Sequence, residues 1–133
     1  MSSLPSWQFC QLVKSAADNI HKLPQGPAEI LRTADIFQGL DEDQRRGKIV
    51  AARKPHIAYY IGREFKLIPN VLNSSELSKA LREQSIDYVF FSRYEASWYR
   101  QFENLLNSKQ HHEGLIPIVS LDNPPCVLYQ VAR

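Results

Sequence analysis

The stretch VAARKPHIAYYIG, residues 50–62, sets two cations and a histidine, Arg53, Lys54 and His56, directly behind a short β-like run and at the start of a helical one. Open α/β sheets take ligands beyond the carboxyl ends of their strands, and a helix start offers unbonded N–H groups to an anion. The chemistry these residue types suit is binding of a phosphate or sugar phosphate by Arg53, Lys54 and His56. The turn holds no glycine, so a phosphate cannot approach the backbone as in a P-loop or dinucleotide fold. Pro55 also removes a donor that such a cradle uses. A packed strand-to-helix corner with Arg53 and Lys54 in water accounts for the same residues.

Other reactive types are placed less tellingly. His111 and His112 are adjacent in HHEG and read as exposed loop residues, since a zinc site needs further placed ligands. Asp87 precedes a strand and Glu95 opens the next helix, where an acid suits the helix dipole. Both acids could line the carboxyl edge of the sheet, yet Glu95 alone has no evident acid–base partner. No GxSxG elbow occurs, and no serine or cysteine has an obvious base. Cys10 and Cys126 stand far apart and form no zinc spacing. No catalytic residue, metal or cofactor is therefore assigned.

The chain that must position these groups has 133 residues, of which 44% are hydrophobic and 23% charged, ordinary values for one folded domain. A net charge of +2 is too small to imply a nucleic-acid partner. The charge is uneven, however: Arg45, Arg46, Lys48, Arg53, Lys54, Arg63 and Lys66 face a single acid, Glu64, between residues 45 and 66. That local field would attract phosphates or an anionic membrane surface, and solvated charge flanking a strand is the alternative. No apolar run reaches the ~18 residues of a membrane span. The first residues lack the order of a signal peptide, so the chain as written reads as soluble.

Periodicity predicts a helix through Phe9, Leu12, Val13, Ala16, Ala17 and Ile20, a break at KLPQGP, and a second helix from Pro27 to about Leu40. DEDQRRG reads as a polar loop. KIVAA, FKLIP and IDYVFFS read as strands. Between them lie a two-turn helix over Pro55 to Ile61, ended by Gly62, and a helix capped by Asn73 with Glu76 three residues on. A longer helix runs from Tyr94 to about Leu106, with Trp98, Phe102 and Leu105 on one stripe. The aromatics around the third strand read as core rather than as a sugar-stacking platform. LIPIVSLDNPPCVLYQVA makes two β-runs joined so closely that they must pair antiparallel. The expected fold is a Rossmann-like α/β sandwich of three-layer type in one domain. A mixed sheet, its parallel strands joined by helices and ended by an antiparallel hairpin, fills residues 47–133, behind a helical lead-in at 1–46.

Residues 47–132 resemble the C-terminal soluble domain of bacterial membrane glycosyltransferases of the protein O-mannosyltransferase superfamily, which use polyprenyl-phosphate-linked sugars. The resemblance is carried by Arg53-Lys54-Pro55-His56 before Ala58-Tyr59-Tyr60, by Asp87-Tyr88 opening a strand, and by the final Val127-Leu128-Tyr129. It implies that sugar transfer belongs to a membrane-embedded part of the same protein, whose acidic catalytic residues have no counterpart here. It also implies a noncatalytic domain on the extracytoplasmic (periplasmic) face, with the membrane-embedded part of the same protein as partner. A glycan acceptor, or anionic lipid headgroups facing the basic run from Arg45 to Lys66, are the further partners expected. Two rivals stand beside it: a free-standing phosphate or sugar-phosphate binder using Arg53, Lys54 and His56, and a protein-interaction module using the aromatic helix from Tyr94.

Overall fold

The computed structural model describes residues 27–122 and 124–132. The helix expected over residues 9–20 lies outside them. The described chain runs α1 (Pro27–Gln38), α2 (Glu42–Arg45), β1 (Ile49–Ala52), α3 (His56–Ile61), β2 (Glu64–Leu67), α4 (Ser74–Glu83), β3 (Tyr88–Ser92), α5 (Arg93–Trp98), a 3-10 helix (Arg100–Leu106), β4 (Leu115–Asp122) and β5 (Pro125–Val131). The five strands form one mixed sheet in the order β2-β1-β3-β5-β4. β1 pairs parallel with β2 and β3, and β5 pairs antiparallel with β3 and β4. The α/β class, the mixed sheet and the terminal hairpin are thus as the sequence predicts.

Strand alternation divides the core into two layers. Val50, Ala52, Tyr88, Phe90, Cys126 and Leu128 face one side, where α1 and α3 add Phe37, Ile57 and Ile61. Ala51, Val89, Phe91, Val127, Tyr129 and Val131 face the other, covered by Leu77 and Leu81 of α4 and by Phe102 and Leu105. Every residue of β3 is buried, as a central strand with two covered faces requires. In β4 the alternation breaks: Leu115 packs in the second layer, whereas Val119 and Leu121 pack in the first. An even spacing should keep all three on one face. The register slips between Pro117, opposite Tyr129, and Val119, opposite Leu128, so a bulge supplies the extra residue that turns the strand over.

Two segments depart from the sequence-based expectation. The loop DEDQRRG contains the four-residue helix α2, because the Asp41 backbone N–H reaches Gln44 Oε1 (3.2 Å) and Arg45 N–H reaches Asp41 O (3.1 Å). The helix expected from Tyr94 to Leu106 is two pieces. Tyr99, with φ −122° and ψ 71°, ends α5, and the chain resumes as 3-10 helix. That tighter winding eclipses every third residue, which drives Phe102 and Leu105 into the core while Trp98 stays outside.

Candidate functional site

Because β1, β2 and β3 are parallel, the segments that follow them leave the sheet at one edge. Arg53 and Lys54 follow β1 there, and α5 follows β3. Ser92 caps α5: its Oγ accepts from the Tyr94 N–H (3.2 Å) and donates to Glu95 Oε1, which also accepts from the Ser92 N–H (3.0 Å). The other carboxylate oxygen, Glu95 Oε2, accepts from the Arg53 N–H (3.2 Å). Glu95 is almost wholly buried, and burial pushes its carboxyl above the ordinary carboxylate range, against the pull of the bonds from Ser92 and Arg53. One side chain therefore joins the start of α5 to the end of β1.

This clamp sets the cations over aromatic rings. The Arg53 guanidinium lies 4.3 Å from the centre of the Trp98 ring, and Lys54 Nζ lies 5.4 Å from that of Tyr94. The two rings meet edge to face at 6.5 Å. An arginine stacked by its face keeps its planar fork of donors open at the rim. Among the described residues neither Arg53 nor Lys54 pairs with a carboxylate; the ion pair there is Arg46 with Asp43, at 2.6 Å. His56 is half-buried, and burial followed by the neighbouring Lys54 charge pushes its pKa down, favouring the neutral ring. Arg53, Lys54 and His56 thus stand at one corner. The helix His56–Ile61 has only six residues and starts behind Pro55, so it adds little anion affinity of its own.

The wider basic run does not form one face. Lys48 precedes β1 and Arg53 follows it, so the run is divided between opposite edges of the sheet. At the amino edge Arg63 is spent on the fold: its Nη1 donates to Ile61 O (2.9 Å), its Nη2 to Arg45 O, and its guanidinium lies 5.2 Å over the Phe37 ring. A groove of about 300 Å³ at that edge is lined by Arg46 and Lys48 but equally by Asp43 and Asp87, so its charges offset.

Three sequence-based placements need correction. Asp87 is at the amino edge, not beside Glu95; its Oδ2 accepts from the N–H groups of Lys48 (2.7 Å) and Ile49 (3.1 Å) at the start of β1. His112 is buried, not exposed: Nε2 lies 3.0 Å from Asn107 O and the ring meets Tyr129 edge-on at 5.6 Å. Trp98 is not part of a buried stripe but stands 58% exposed. The role of Glu95 in fixing Arg53 was missed. The Ser92–Glu95 spacing, a capping box, was the local signal that could have pointed to it. Among the described residues no three His, Cys, Asp or Glu side chains gather as a metal site needs. Comparisons with protein-family models, with curated proteins and with solved structures find no match to this chain.

Proposed function

We propose that the chain is a noncatalytic recognition domain of a membrane glycosyltransferase that draws sugar from a lipid-phosphate donor, and that its working surface is the carboxyl edge of β1 and β3. The observation that carries this reading is the pair of cations held over Trp98 and Tyr94, with no carboxylate partner among the described residues. Two preset cations beside an exposed indole suit a phosphate joined to an apolar or sugar group. Their nearest acid, Glu95, is buried and turned to backbone donors, so it does not compete for them. Among the described residues the hydroxyl paired with a carboxylate at this edge, Ser92 with Glu95, is buried and spent on capping α5, which is why recognition rather than turnover is assigned to the edge.

The test is a titration of the ¹⁵N-labelled chain with a short-chain polyprenyl phosphate and with the corresponding alcohol. Saturable shifts at Arg53, Lys54 and the Trp98 indole N–H are expected with the phosphate. The alcohol, and the Arg53→Ala/Lys54→Ala chain, should bind at least about tenfold more weakly. Equal binding of phosphate and alcohol, shifts confined to another surface, or sugar transfer by the chain alone would overturn the reading.

A further inference from the structure

The loop after β2 emerges at the same edge as Arg53 and Trp98, and it is tied there. Gln101 Nε2 donates to Asn70 Oδ1 (2.8 Å) and to Val71 O (3.0 Å), which fastens residues 70–71 to the 3-10 helix just beyond Trp98. Val71 packs in the same core layer as Ala96 and Tyr99. Leu72, the next residue, is left 81% exposed, and Leu67 at the end of β2 is also exposed. Three of the six large apolar side chains that are exposed among the described residues, Leu67, Leu72 and Trp98, therefore sit on one edge. Exposed Arg93 and Arg100 flank Trp98, and Arg53 and Lys54 complete the set. The acids nearby are Glu29, whose charge opposes that of Arg93, the exposed Glu76 in the first turn of α4, the buried Glu95, Glu103 on the 3-10 helix, and Asp122 at the hairpin tip beyond β5.

We infer that this edge seats peripherally on an anionic lipid surface, with Leu72 and Trp98 entering the headgroup layer and Arg53, Lys54 and Arg100 meeting lipid phosphates. It rests on the reading above for its setting and adds the bilayer itself as the partner. Charge complementarity and residue type argue for lipid. Isolated apolar tips ringed by Arg and Lys fit a fluid interface, where tryptophan is favoured and each nearby cation adds attraction; a protein partner would call for one continuous apolar patch. No helix among the described residues is long and apolar enough to cross a membrane; the side chains offered at this edge stand on the loop before α4, at the end of α5 and at the start of the 3-10 helix.

The test uses the full chain with Trp7→Phe, which leaves Trp98 as its one tryptophan. It is mixed with vesicles of phosphatidylcholine alone, or with added phosphatidylglycerol, each carrying brominated acyl chains. Quenching of Trp98 is expected on the anionic vesicles, at least about fivefold weaker partitioning on neutral ones, and loss of binding as salt is raised. Leu72→Ser should weaken partitioning about threefold or more while leaving binding of the short-chain polyprenyl phosphate unchanged. Equal partitioning on both vesicles, or no quenching of Trp98, overturns the inference even where the soluble phosphate still binds. Vesicle binding without polyprenyl phosphate binding upholds the inference and removes the proposed function instead.

Discussion

Glu95 accepts a hydrogen bond from the backbone N–H of Arg53, 42 positions earlier in the chain, and this one contact couples the ends of two parallel strands. The carboxyl is buried, and burial raises its pKa above the ordinary 4.5, so the folded chain holds this proton more tightly than the unfolded chain does. The stability linked to it is complete below pH 4.5 and is lost as pH climbs through the raised folded value. Glu29, also raised by burial, has the same sign. His56, lowered, has the opposite sign, with stability present above pH 6.5 and lost as pH falls through its folded value. Urea midpoints measured against pH should therefore decline on the alkaline side of 4.5, and Glu95→Gln should flatten that decline. Glu95→Ala should cost about 2 kcal/mol, because the Arg53 and Ser92 N–H groups lose their acceptor. An unchanged pH profile in Glu95→Gln would remove this account of the carboxyl.

The stacking of Arg53 on Trp98 should be measurable as a coupling. A double-mutant cycle of Arg53→Ala and Trp98→Ala, read by chemical denaturation, should return about 0.5 to 1 kcal/mol, the range of an exposed cation–aromatic pair. A coupling of zero would mean that the guanidinium is not held by the ring.

Two glycines should respond to alanine for different reasons. Gly62 ends α3 with φ 69°, and a Cβ there meets nothing within 4 Å, so Gly62→Ala carries backbone strain alone, about 1 kcal/mol. At Gly47 the difficulty is space. A Cβ would sit 2.5 Å from the Asp87 Cβ and 2.6 Å from the Tyr88 ring, whose hydroxyl accepts from the Gly47 N–H (2.9 Å) and donates to Gln44 O (2.6 Å). Gly47→Ala should therefore cost more, about 2 to 3 kcal/mol. Thermal unfolding of both variants checks the order.

Asn73 Oδ1 accepts from the Glu76 N–H at 2.9 Å and closes the start of α4. Asn73→Ala should lower stability by about 1 kcal/mol, read from the urea midpoint, while Asn73→Ser should recover most of it.

The Asn73 cap was legible in the sequence because donor and acceptor are three residues apart, and the same holds for the Gly62 stop. Strand placement was legible for a similar reason, since alternation in Tyr88 to Ser92 is local information. What could not be read was anything joining distant segments. The Glu95–Arg53 bond, the burial of His112 against Tyr129, and the position of Asp87 across from Lys48 all depend on the strand order β2-β1-β3-β5-β4. The break at Tyr99 was hidden because Trp98, Phe102 and Leu105 fit a helical stripe and the 3-10 spacing nearly as well. Arg53, Lys54 and His56 were singled out by type and brought to one corner by the fold. The exposure of Trp98, the ring beneath Arg53, is not legible because its spacing to the buried Phe102 and Leu105 is that of one helical face.

The bulge-turned hairpin has a bearing on how the polypeptide matures at the ribosome. Val89, Phe90 and Phe91 pair on their far side only with Leu128 and its neighbours, so the greasiest ribbon of the molecule waits, half zipped, while some thirty further residues are polymerised. A chain truncated before Pro125 should consequently clump or recruit chaperones through the open edge of β3, and restoring residues 125–131 should remove that stickiness.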